Sequence, residues 1–205
     1  MAPLVPLRFY IIIIIERFTV VRRSEVAALE SQFGFPGKKL LFMGGDVGQW
    51  NEWNHDTSLD LLPAPVPVSF RLLRWVRDLN TFHLGEASLY EVDFEPSGFE
   101  WIDCNDVERS FVTFIRRAKN PADMTLVVLN FTPIPRENYR LGTPLGGYWR
   151  ECLNSDAPLY GGSGQGNMGG VETVPLPAHS RPYSLSLLLP PLGALFPRHS
   201  WNPKS

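Results

Sequence analysis

The chain has 205 residues, of which 44% are hydrophobic and 20% charged, and its formal net charge is −2. That composition fits one sizeable soluble domain, or a domain plus part of another. The near-neutral balance gives no electrostatic reason to expect nucleic acid or a membrane surface as partner.

The first element is an apolar run of seven residues, Phe9 to Ile15, closed by Glu16 and Arg17. It falls far short of the roughly 20 residues that span a bilayer. One arginine precedes it and four charged residues follow within eight positions, a poor match to a signal peptide. It reads as a buried strand or an arbitrary leader. A short helix is predicted from Ser24 to Phe33, with Ser24 as N-cap and Gly34 as its stop, and Pro36-Gly37 marks a turn. Leu40 to Met43 is an apolar run without alternation, as in a strand buried on both faces of a parallel sheet. Gly44-Gly45 ends it, and a polar, tryptophan-rich loop follows to about Asp60. Prolines 63, 65 and 67 argue against helix there. From Ser69 a helix is predicted, because Phe70, Leu72, Leu73, Val76, Leu79 and Phe82 recur at helical spacing. Arg71, Arg74, Arg77 and Asp78 fall largely on its polar side. Strand, long loop and helix make one βα unit.

From about Tyr90 to Arg198 the chain reads as all-β. Phe99 to Ile102, Ser110 to Arg116, Thr125 to Phe131, Tyr148 to Leu153 and Ser184 to Leu189 are rich in β-branched, aromatic or aliphatic residues. Turn clusters such as Asn105-Asp106, Lys119-Asn120-Pro121 and Gly146-Gly147 separate them. Leu185, Leu187 and Leu189 alternate with Ser184, Ser186 and Leu188, which makes one face the greasier and predicts an antiparallel sandwich. The tail beyond Phe196 is expected to be disordered, residues 199–205 above all.

Several features have a bland reading beside a functional one. Cys104 and Cys152 form no CxxC or Cys/His cluster, so no zinc site is expected, and two reduced thiols in a cytoplasmic protein are read. Asn130-Phe131-Thr132 is a glycosylation sequon, which the following proline makes incidental. Gly164-x-Gly166-x-x-Gly169 has the form of a dinucleotide fingerprint, but no clear strand precedes it and no helix follows. A glycine-rich connection is the better reading. Arg22-Arg23 and Arg116-Arg117 read as pairs on solvated faces. Asp103, Asp106 and Glu108 are acidic without calcium-loop spacing.

The most specific segment runs from Lys38 to Asp60. A strand delivering Gly-Gly and then a tryptophan-rich loop is what a (β/α)₈ barrel presents at its active face. Trp50 and Trp53 suit stacking on pyranose rings, and Gln49, Glu52, Asn54, His55 and Asp56 suit hydroxyl groups. Alternatively the tryptophans pack under the loop and His55-Asp56 orders it.

This segment resembles the stretch after the last barrel strand in glucan branching enzymes, members of the α-amylase superfamily. The likeness continues through Arg77-Asp78-Leu79-Asn80, Gly98 to Asp103, Val127 to Pro135, Glu151 to Asp156 and Tyr160 to Asn167. It covers about Pro36 to Phe196. Asp46 stands where the family carries Glu, Val47 where it carries Phe, and Leu61 replaces an expected Trp. The resemblance implies a mainly β fold: an α-amylase-type C-terminal sandwich (90–198) preceded by a barrel remnant (36–89) and an unmatched leader (1–35). It implies the parent activity of cutting an α-1,4-glucan and rejoining it through an α-1,6 bond in glycogen synthesis, with no metal or organic cofactor. Substrate contacts are expected at Gln49, Trp50, Trp53, His55 and Asp56.

The family's catalytic His-Asp pair lies before the last strand in a Ser-His-Asp-Glu context. His55-Asp56 follows that strand, so it reads as a rim element. Retaining transfer needs a carboxylate nucleophile and a carboxylic acid about 5–5.5 Å apart. The family's nucleophile sits in an Arg-x-Asp context, which this sequence lacks. The chain is therefore expected to be inactive alone, a C-terminal fragment from a truncated or misannotated frame, and aggregation-prone because Leu40 to Met43 lacks strand neighbours. A stand-alone glucan-binding module, or a subunit completing a barrel encoded elsewhere, are the alternatives. Partners are then α-glucan (glycogen or amylose) and a missing N-terminal barrel fragment, with neither nucleic acid nor membrane.

Overall fold

The computed structural model describes residues 29–41, 43–48, 54–58, 66–104 and 110–200, with side chains omitted at 66–69. Residues 29–34 are helical (α1), and Val66–Gly85 form a second helix (α2). Eight strands follow: β1 Phe99–Asp103, β2 Phe111–Arg117, β3 Met124–Asn130, β4 Arg136–Thr143, β5 Tyr148–Asn154, β6 Gly170–Glu172, β7 Tyr183–Leu189 and β8 Gly193–Ser200. One sheet has the order β1-β2-β3-β8-β5-β6 and a second pairs β4 with β7. Every pairing between these strands is antiparallel. The β domain is thus mainly antiparallel, as the alternation of Leu185, Leu187 and Leu189 predicts.

The period of two in β2 and β3 explains the layering. Phe111, Ile115, Met124, Leu126 and Val128 point to one side, where they pack with Leu141 of β4, Trp149 of β5, Leu195 of β8 and the three alternating leucines of β7. Val112, Phe114, Val127 and Leu129 point the other way. There they meet Phe33 of α1 and Trp75 and Leu79 of α2, with Ala194 and Phe196 of β8. The large sheet is therefore a middle layer, with the β4-β7 ribbon on one face and two helices on the other. Burying one aromatic such as Trp75 contributes up to about 3 kcal/mol. Residues 29–35, expected as leader, thus supply core.

Four expectations are corrected. Leu40, Leu41 and Met43 are not in a strand, and they stand 71%, 38% and 52% exposed. A doubly buried strand takes its burial from strands paired on either side, and the described residues of this run pair with none. The βα unit is therefore represented here by its helix. α2 begins at Val66, with Pro67 in its first turn. First-turn amides have no intrahelical partner, so proline's missing N–H costs nothing there. Arg116 is fully buried, not solvated. The tail expectation fails up to Ser200, because β8 pairs His199 with Trp149 and Ser200 with Tyr148. Phe9 to Ile15, Ser24, Arg22-Arg23, Asp106, Glu108 and residues 201–205 lie outside the described residues.

Candidate functional site

Of the sequence-predicted contact residues, Gln49, Trp50 and Trp53 lie outside the described residues. His55 and Asp56 are described, and both side chains are about three-quarters exposed, at 76% and 75%. Their Nε2 and Oδ1 atoms are 3.3 Å apart. Asn54 shapes the turn: its side-chain Oδ1 accepts from the Asp56 amide at 3.0 Å, and its carbonyl accepts from the Thr57 amide at 3.3 Å. The pair sits on an open turn where water screens its charge. Such a turn can offer hydrogen bonds to hydroxyl groups.

The polar groups with most partners lie elsewhere, and they hold the layers together. Arg116 is the first. β2 reads Phe-Val-Thr-Phe-Ile-Arg-Arg, so the alternation that buries Val112 and Phe114 against the helices carries Arg116 to the same side. Its guanidinium donates to the carbonyls of Gly34 (2.8 Å), Leu89 (3.0 Å) and Gly98 (3.3 Å) and to Asp93 Oδ1 (2.5 Å). Burial lowers its pKa, and the Asp93 bond offsets part of that. Asp93 Oδ2 also accepts from the Gly37 amide at 2.8 Å. One cation thus ties the 34–37 segment, the 89–98 connection and β2 together. Its neighbour Arg117 faces the opposite side of the sheet and pairs with Glu100, as does Arg181.

Asp156 organises the glycine-rich loop. It accepts from the amides of Ser163 (2.9 Å) and Gln165 (3.0 Å) and from Oγ of Ser163 (2.5 Å). Glu151 holds the far end through the Asn167 amide (3.0 Å) and Nδ2 (2.8 Å). These are carboxylates serving a loop from within. The Gly164-x-Gly166-x-x-Gly169 stretch is accordingly a structural connection between β5 and β6, as the bland reading holds. A third tie joins helix to sandwich: Tyr160 donates to Asp78 Oδ2 at 2.9 Å, and its ring meets Trp75 edge-on at 4.6 Å. Burial and the Asp78 carboxylate push the Tyr160 hydroxyl well above the ordinary phenol value, so it stays a donor.

Two residue types that suggest chemistry in the sequence are structural here. Burial raises the pKa of both Cys104 and Cys152, so neither is poised as a thiolate nucleophile. Asn130 of the sequon is buried, and its side chain is spent on the carbonyls of Pro190 (2.8 Å) and Ile134 (3.0 Å) and the Thr132 amide (2.9 Å). Among the described residues no helix is long and apolar enough to cross a membrane.

Comparison with known proteins places this architecture. Residues 101–200 match the family described as the alpha amylase C-terminal all-beta domain. Over 180 residues the chain is 50% identical to the 1,4-alpha-glucan branching enzyme GlgB of Aquifex aeolicus, a match that covers 86% of this chain and 29% of that enzyme. The GlgB of Aromatoleum aromaticum is 52% identical over 177 residues, covering 84% of this chain and 28% of the enzyme. That of Halothermothrix orenii is 47% identical over 163 residues, covering 80% and 26%. The chain therefore spans under a third of the length of the curated relatives it matches. Its β layers and the matched residues agree: the chain is homologous to the C-terminal portion of glucan branching enzymes, and its residues 101–200 match the alpha amylase C-terminal all-beta domain.

Proposed function

We propose that this chain serves as the C-terminal module of a glucan branching enzyme, inert in branching by itself, and that residues 36–89 are the closing βα unit of a (β/α)₈ barrel. The observation that carries the reading is the contrast between the two parts of that unit. α2 is seated on the sandwich through Trp75, Leu79 and Phe82, sharing its core, while Leu40, Leu41 and Met43 stand exposed. An apolar run with strand character that pairs with no strand among the described residues fits a sheet whose other strands come from elsewhere. The parent reaction transfers an α-1,4-glucan segment to form an α-1,6 branch. It needs two carboxyl groups on the ends of different barrel strands. The sequence carries no Arg-x-Asp motif for the nucleophile. In this reading the sandwich holds α2 in place, and the 49–56 loop, with Trp50, Trp53 and His55-Asp56, lies on the barrel rim facing glucan in the cytoplasm.

The test is complementation. The purified chain is mixed with the N-terminal part of the Aquifex aeolicus enzyme that ends before the matched region, and amylose branching is followed by iodine staining. No branching by either part and activity on mixing supports the reading. Branching by this chain alone refutes it. A glucan-binding module is the second reading, favoured by the open His55-Asp56 turn, which follows Trp50 and Trp53 in the sequence. Retarded migration in a glycogen-containing gel, without complementation, selects it.

A further inference from the structure

We propose that residues 29–37 form a clasp that rising pH releases from the sandwich, with Glu30 as the group that opens it. α1 lies across the helix-bearing face of the large sheet. It is held by buried Leu29 and Phe33 and by Phe35, whose ring centroid is 4.7 Å from Phe114 and 5.5 Å from Trp101. Glu30 belongs to the same short helix. Its side chain is fully buried, and neither carboxyl oxygen has a hydrogen-bond partner. Ser155 and Ala194 approach it, but the Ala194 amide is shared with Ser155 Oγ at 2.9 Å, and burial outweighs what the two can offer a charge. The charged group whose field reaches Glu30 from the turn after β5 is Asp156, which is itself buried and would repel a second carboxylate.

A carboxylate in such a place is far costlier than a neutral carboxyl, because burial strips the charge of its hydration. Glu30 is therefore neutral while the clasp is seated, and burial is the main cause of its raised pKa. The sign follows. A carboxyl raised in the folded state contributes nothing adverse below its ordinary value, and stability is lost as pH climbs toward the raised one. Across that window the population with the clasp released grows about tenfold per pH unit, the ratio set by one linked proton. The polar ties described for the clasp include the Arg116 bond to the Gly34 carbonyl, the Gly37 bond to Asp93, and Lys39 Nζ on the Phe35 carbonyl at 2.5 Å. The titratable groups at that far end are Lys39, Asp93 and Arg116, with His83, whose ring meets Phe33 edge-on at 6.2 Å. Lys39, lowered to about 8 chiefly by burial, acts with the opposite sign, because a lysine depressed in the folded state adds stability as pH rises past that value. It must be separated from Glu30 by experiment.

Hydrogen exchange of the full chain provides that separation, read as protection factors corrected for base catalysis, between pH 5.5 and 9. Peptides covering 29–37 report the clasp and those covering 124–130 report the sheet. In the wild type, protection of 29–37 is expected to fall about tenfold per pH unit while that of 124–130 holds. Glu30→Gln, with Glu30→Leu as a second neutral variant, is expected to flatten the dependence. Sheet protection in the variants verifies that they fold. The proposal is overturned if the clasp and the sheet lose protection together, if wild-type protection is flat, or if the neutral variants keep the slope, which would assign it to a group other than Glu30.

Discussion

Replacing Arg116 by methionine tests whether one cation fastens three parts of the chain. The stem of methionine fills the space along β2, so the change isolates the guanidinium. Its removal strips three backbone carbonyls of a charged donor and leaves Asp93, whose side chain is 9% exposed, facing a lost partner 2.5 Å away. Breaking a buried pair from one side costs about 3–5 kcal/mol, mostly from the charge left behind. The Gly37 amide still serves Asp93, which argues for the lower half of that range. Against a total stability of about 5–15 kcal/mol, this is a large fraction. Urea unfolding followed by tryptophan fluorescence should show the midpoint fall without a change of slope. Adding Asp93→Asn should recover about 1–2 kcal/mol, because it removes the orphaned charge. A single variant within about 1 kcal/mol of wild type, or a double variant no better than the single, would refute the reasoning.

Three further outcomes are expected. Tyr160→Phe should cost about 0.5–1.5 kcal/mol through loss of the bond to Asp78, and it should raise hydrogen exchange in α2 more than in β3. Gly162→Ala should destabilise the chain strongly, because a Cβ there would lie 2.1 Å from the backbone oxygen of Asp156; thermal unfolding by circular dichroism reads it, and a Tm within about 1 °C of wild type would contradict the close approach. Leu41→Glu with Met43→Gln should leave stability within about 0.5 kcal/mol, since both side chains are exposed, while improving solubility. In the complementation assay the same pair should abolish recovery of branching, and full recovery would argue against a strand at that place.

The β domain was legible where burial imposes a simple pattern. β2, β3 and β7 are short apolar runs between turn clusters, and a sheet buried on one or both faces leaves few other solutions for them. β4 was not legible, because Arg136-Glu-Asn-Tyr-Arg pairs on one side only, in a two-stranded layer, and keeps polar residues in water. β8 was hidden by Pro197, a residue that normally argues against a central strand. It is accommodated opposite a bulge in β5 between Glu151 and Leu153. The burial of Arg116 was readable from the same alternation as Phe114, yet residue type overrode the pattern. Leu40 to Met43 failed for a different reason. Strand character is local, whereas burial depends on neighbours that no local pattern contains. The candidate contact residues were read from chemistry and resemblance, and of these His55 and Asp56 are the described ones.

The helix-bearing face of the large sheet bears on how such a module can be cut or moved. The family match begins at residue 101, so a boundary drawn from it would separate the strands from α2. Phe114, Val127 and Phe196 would then face water across a whole layer. A designer wishing to graft this domain onto another barrel has to carry residues 29–35 and 66–85 with it, and recombination between related genes would meet the same demand. The crossover that preserves folding lies upstream of both helices, outside the residues the family match covers.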